Sequence, residues 1–104
     1  MKNQLNRGLK RRLMYVENKQ GEIDGAHGRI GWVTFSRTGQ TVYYRGRELG
    51  KGNGVQGNFF DAETGEEYWV SGVKKRGSNA HWAERISVEI DADAMEAYQT
   101  LRAS

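Results

Sequence analysis

Two stretches of this chain, from Thr38-Gly39 to Thr64-Gly65 a distance of 26 residues, follow one pattern that leaves little room for anything but antiparallel β-structure. In the first, Ile30-Gly31-Trp32-Val33-Thr34-Phe35 precedes Arg37-Thr38-Gly39, and Thr41-Val42-Tyr43-Tyr44-Arg45 follows it. In the second, Asn58-Phe59-Phe60-Asp61 precedes Glu63-Thr64-Gly65, and Glu67-Tyr68-Trp69-Val70 follows. β-Branched and aromatic runs around a short glycine-bearing turn are the sequence mark of a hairpin. A Thr-Gly turn suits a type I turn closed by a glycine in the left-handed region. Two copies are too few for a solenoid, so the pair is read as a shared turn type.

The rest of the chain extends this pattern. Leu13-Met14-Tyr15-Val16 reads as a strand ended by Asn18 and Gly21, and Lys19 to Arg29 as a polar loop. Ile86 to Ile90 reads as a late strand. The period then changes: Ala94, Ala97, Tyr98 and Leu101 recur at helical spacing, with Asp91 in N-cap position. Asp93 and Glu96 near the start and Arg102 near the end suit the helix dipole. Residues 1–11 are read as a flexible basic tail, since Leu5, Leu9 and Leu13 make only a thin stripe broken by Gly8. Residues 12–104 form one β-rich domain with a terminal helix at about 92–102. The expected fold is mainly β (α+β): a small antiparallel barrel or strongly bent sheet of the SH3-like type, with one C-terminal helix. An open sheet with the helix on one face is the alternative.

Composition narrows the chemistry. The chain has no cysteine, which excludes a disulfide framework, a thiolate zinc site, an iron–sulfur cluster and a thiol nucleophile. No apolar run reaches the roughly 20 residues of a membrane span, and a cytoplasmic protein is expected. Leu, Ile, Val and Phe together number only 19, so the core must lean on the 11 aromatic residues. Charge is uneven: residues 1–60 hold 11 Lys/Arg against 4 Asp/Glu, whereas residues 61–104 hold 5 against 9. A basic front half hints at an anionic partner.

Three adjacent aromatic pairs, Tyr43-Tyr44, Phe59-Phe60 and Tyr68-Trp69, carry the functional expectation. Neighbours on a strand point to opposite faces, so one member of each pair leaves the main core. A three-residue turn at Glu63-Thr64-Gly65 would set Phe60 opposite Tyr68 and Phe59 opposite Trp69. The outer rings are either covered by the C-terminal helix or the Trp82 loop, or left as a platform on which bases stack. Around them lie Arg45, Arg47, Lys51, Lys74, Lys75 and Arg76. Cations beside stacking rings are the usual chemistry of single-stranded nucleic-acid binding. The candidate binding residues are therefore Tyr44, Arg45, Arg47, Lys51, Trp69, Lys74, Lys75, Arg76 and Trp82.

Other motifs fail on context. Gly52-Asn53-Gly54-Val55-Gln56-Gly57 has the letters of a dinucleotide fingerprint, but strand residues follow it where a helix should begin. It reads as a loop with an Asn53-Gly54 turn. His27, near Asp24, and His81, near Glu84, are read as surface residues without metal-ligand spacing. Asp61, Glu63, Glu66 and Glu67 crowd a hairpin tip, where paired carboxylates stay solvated and do no acid–base work. No metal, cofactor or catalytic residue is expected. The chain reads as a non-enzymatic binding module for RNA or single-stranded DNA, the alternative being protein recognition or a homo-oligomer anchored by the outer aromatics.

From Arg12 onward the sequence resembles a family of small, uncharacterised bacterial proteins. The resemblance is carried by RLMYVENK at 12–19, GRIGWVTFSRTGQTVYYRG at 28–46, NFFDAETGEEYWVSGVKKRG at 58–77 and SVEID at 87–91. Some members of that family bear the name of deoxyxylulose-phosphate synthase, a thiamine-diphosphate enzyme many times longer than this chain. The resemblance implies a bacterial source and one shared fold, and it brings no activity or catalytic residue. It also marks residues 1–11 as an addition to the usual family start.

Overall fold

A computed structural model describes residues 9–52, 57–77 and 87–103. The expected tail up to residue 8, the Asn53-Gly54 loop, His81, Trp82 and Ile86 lie outside the described residues.

Six strands close on themselves. β1 (Lys10–Asn18), β2 (Gly28–Phe35), β3 (Thr41–Tyr44), β4 (Arg47–Lys51), β5 (Phe59–Asp61) and β6 (Glu67–Gly72) pair antiparallel in the order β1-β6-β5-β4-β3-β2, and β1 pairs again with β2. The expected small antiparallel barrel with a C-terminal helix is what the chain forms, and the open-sheet alternative is not. Closure removes the free sheet edges that an open array of strands would present to other chains. A short β7 (Val88–Ile90) lies outside the ring and runs parallel to the start of β2. A single 3₁₀ turn, Ala92–Ala94, leads into α1 (Met95–Ala103). No helix among the described residues is long and apolar enough to cross a membrane.

Strand alternation fills the barrel. Val16, Val33, Val42, Tyr44, Leu49, Phe59, Tyr68 and Val70 point inward and are buried together, with Met14 and Phe35 packed against them. Each such Val or Leu contributes about 1.5–3 kcal/mol by leaving water. Ile23, also fully buried, closes one end as a plug. It stands at the start of a two-residue turn, Asp24-Gly25, where both residues have positive φ (49° and 97°) and Ile23 and Ala26 bridge to each other. This is the type I′ geometry that Asp-Gly favours. The stretch Lys19 to Arg29 is thus partly a plug and not merely a polar loop.

Three further features depart from expectation. β1 begins at Lys10, so the last two residues of the expected tail belong to the barrel. A third hairpin joins β3 to β4 through Arg45-Gly46, both at positive φ (48° and 78°), again a type I′ turn. In the β5–β6 hairpin, Phe59 stands opposite Tyr68 and Phe60 opposite Glu67, one step from the expected register. The cause is Asp61. Its Oδ1 accepts from the Glu63 and Thr64 amides at 2.7 and 3.2 Å, which draws Ala62 into a four-residue loop. Gly39 and Gly65 do take the positive φ (77° and 78°) that the Thr-Gly pattern implied.

Candidate functional site

β3 pairs with β2 only through Thr34↔Tyr43 and Phe35↔Val42, then diverges from it. Asp91 fills the resulting gap. Its amide donates to the Ile30 carbonyl at 2.9 Å, continuing the β7 ladder, and its carboxylate turns into the barrel end above Gly31. There it accepts from the Tyr44 hydroxyl at 2.6 Å, from Arg29 at 3.1 Å and from Arg45 at 3.2 Å. Arg45 also pairs with Asp24 at 2.7 Å, and Arg47 grips both oxygens of Asp24 at 2.9 and 3.3 Å. Arg29 also donates to the Ile23 and Asp24 carbonyls, both at 2.6 Å. The network therefore ties the plug, the β3–β4 turn and the C-terminal segment together.

This assigns new roles to three expected binding residues and to the expected helix cap. Tyr44 is 3 % exposed and belongs to the core; its neighbour Tyr43, 42 % exposed, is the ring that faces out. Arg45 and Arg47 are held by carboxylates instead of standing free for phosphate. Asp91 makes no side-chain cap to the helix, because its oxygens are taken by Tyr44 and the arginines. The Arg47 and Arg45 guanidiniums hold the Asp24 carboxyl well below the usual carboxylate range.

A second polar group lies on the outer face of β1. Tyr15 donates its hydroxyl to Glu17, which also pairs with Lys19 at 2.6 Å, and all three side chains are buried. Tyr15 and its cross-strand partner Ile30 are buried on that outer face, while Trp32 Nε1 donates to the Asp93 carbonyl at 3.0 Å. Burial first, and then the bonded carboxylate, pushes the phenols of Tyr15 and Tyr44 far above the ordinary tyrosine value. A raised folded-state value contributes stability that is complete below the unfolded value of about 10 and is lost as the pH rises beyond it. In an alkaline titration, the phenolate absorbance of Tyr15 and Tyr44 is therefore expected only as the fold is lost. All five tyrosines ionising while circular dichroism still reports a folded chain would contradict the buried bonds.

The opposite end of the barrel has another character. Lys10 faces Phe35, Thr41 faces Gly50, Lys51 faces Phe59 and Met14 faces Gly72, so these strand ends share one rim. The segments that build it (9–16, 33–42, 49–52, 57–60 and 70–77) contain no Asp or Glu. They carry Lys10, Arg11, Arg12, Arg37, Lys51, Lys74, Lys75 and Arg76, all exposed. Among the described residues, Lys10, Arg12, Arg37, Lys51, Lys75 and Arg76 make no ion pair. A cavity of about 310 Å³ opens here, lined by Lys10, Arg12, Arg37, the half-buried Phe35 and the turn residues between them. The carboxylates of the strands and turns, from Glu17 and Asp24 to Glu48, Asp61 and Glu67, lie toward the other end.

Of the residues expected to bind, Lys51, Lys74, Lys75 and Arg76 thus lie on the basic rim, while Tyr44, Arg45 and Arg47 serve the opposite end. Trp69 is half-buried on β6, next to the buried Tyr68. Lys10, Arg12, Arg37 and Phe35 went unselected by sequence reasoning, because only strand pairing brings them together. No family model matches the chain, and comparison with curated proteins and with solved structures returned no match.

Proposed function

We propose that this barrel is a binding module for single-stranded nucleic acid, RNA or DNA, which it engages at its basic rim. The observation that carries the reading is the segregation of charge between the two ends. At one end each arginine has a carboxylate partner; at the other, Lys10, Arg12, Arg37, Lys51, Lys75 and Arg76 are exposed and make no ion pair among the described residues. Unneutralised Lys and Arg are what a phosphate backbone recruits, releasing counterions as it binds. Phe35, half-buried in the same cavity as Lys10, Arg12 and Arg37, adds a ring among the cations. Such a ring can meet the face of an unpaired base but not of one inside a duplex.

The test is the salt dependence of binding to a labelled oligonucleotide, followed by fluorescence anisotropy. With about 3–5 phosphates contacted, log K is expected to fall against log salt with a slope of about −2 to −3.5, at about 0.7 per phosphate. Reversing two cations together, Arg12→Glu with Arg37→Glu, should weaken binding at low salt and flatten that slope by about 1.4. Absence of binding by the wild-type chain at low salt, or a double variant that binds as the wild type does, overturns the proposal.

A further inference from the structure

The basic rim alone would accept any polyanion, and discrimination needs a place for the base. On the outer face, Arg11, Thr34, Tyr43 and Glu48 stand opposite one another in turn across β1, β2, β3 and β4. This row begins at the basic rim and runs toward the other end. Where β3 leaves β2, the face opens into a groove of about 450 Å³ lined by Trp32, Thr34, Tyr43, Arg45 and Glu48 among others. That volume falls within the range of about 300–1,000 Å³ found for small-ligand sites.

We propose that this groove is the base subsite of the nucleic-acid site, with Tyr43 as the stacking ring and Arg11 as the phosphate contact beside it. The inference rests on the nucleic-acid reading above and makes the ligand one that carries bases. Tyr43 is 42 % exposed although it sits within a strand of the barrel wall. Arg11 is placed by its neighbour: its guanidinium lies over the Trp32 ring, 4.3 Å from the centroid. Stacking occupies a face of the guanidinium and leaves the in-plane N–H donors free for an anion. Glu48, beyond Tyr43 in the row, repels phosphate. Arg45 is already committed to Asp24 and Asp91. The electrostatics thus hold the backbone at Arg11 and the rim, and direct the uncharged base over Tyr43.

The experiment compares two probes, an oligonucleotide of about 10 nucleotides and inorganic polyphosphate of similar charge, on wild type, Tyr43→Ala and Tyr43→Phe. The alanine variant should bind the oligonucleotide about 5- to 150-fold more weakly, the span seen when a stacking ring is removed. It should bind polyphosphate as the wild type does. Tyr43→Phe, which keeps the ring and loses the hydroxyl, should restore oligonucleotide binding. A Tyr43→Ala chain that binds the oligonucleotide like wild type, or loses polyphosphate equally, overturns the base subsite and leaves the rim intact. A wild-type chain that binds polyphosphate and not the oligonucleotide overturns both readings.

Discussion

Replacing Asp91 by alanine is expected to destabilise the fold by about 3–5 kcal/mol, the range for removing one partner from a buried charge pair. The reason lies in what stays behind. The Arg29 side chain is 12 % exposed and would lose the only carboxylate it bonds among the described residues. The Tyr44 hydroxyl, in the core, would lose the acceptor at 2.6 Å that satisfies it. An orphaned buried group loses its bond and keeps its desolvation penalty, so the loss exceeds the worth of an ordinary hydrogen bond. Domains of this size have about 5–15 kcal/mol in total. Urea unfolding should therefore show a much lower midpoint with a similar slope. A loss below about 1 kcal/mol, the level of a surface pair, would mean that the network does not hold the C-terminal segment to the barrel.

The second large effect is expected from a single methyl group. A Cβ on Gly31 would lie 2.1 Å from Asp91 Oδ2 and 2.9 Å from both Asp91 Cγ and the Tyr44 ring. No rotation of a long side chain relieves this, because Asp91 is short and its carboxylate is fixed by three partners. Gly31→Ala must therefore expel Asp91 or push β7 away, at a cost of about 3 kcal/mol. A shared cause makes the two changes non-additive. In the Asp91→Ala background, the Gly31→Ala step should lose most of its effect, leaving the milder contact with Tyr44. The coupling between them should be about 1–3 kcal/mol in a double-mutant cycle. Strict additivity would show that Gly31 is needed for some reason other than Asp91.

Gly31 and Asp91 also show where one-dimensional reasoning stops. Asp91 before a helical run reads as a cap, and its backbone does sit at that helix's entrance. Its side chain has a better use, available only once the chain has placed Arg29 and Tyr44 within reach. The pair Tyr43-Tyr44 said that one ring must leave the core, and strand alternation made that certain. Which one leaves depends on register. The same holds for Phe59 and Phe60, where Asp61 lengthened the turn by one residue. The dipeptide Asp24-Gly25 did carry a legible signal, since it is a strong marker of a type I′ turn. Without the alternating apolar flanks of a hairpin it passes for loop. Arg45-Gly46 was harder to see, because a non-glycine residue at positive φ is uncommon and arginine has no special tendency to adopt it.

What the sequence determined by itself is local: the Thr-Gly hairpins, the terminal helix and the predominance of strands. Each follows from the conformational preferences of a few adjacent residues and from the two-residue period of a strand. The tertiary structure alone decided which charges share a surface. Counted along the chain, the front half is basic and the back half acidic, which mixes unlike environments. Successive strands of an antiparallel barrel traverse it in alternate directions, so Lys10 and Lys51 share one rim although four strands and the three connections between them separate the two in sequence. Glu17, only a few residues from Arg12, lies toward the other end of the same strand. Closure of the ring gathers scattered cations on one rim whose described segments carry no carboxylate, and that rim rather than the net charge is what an anionic strand would meet.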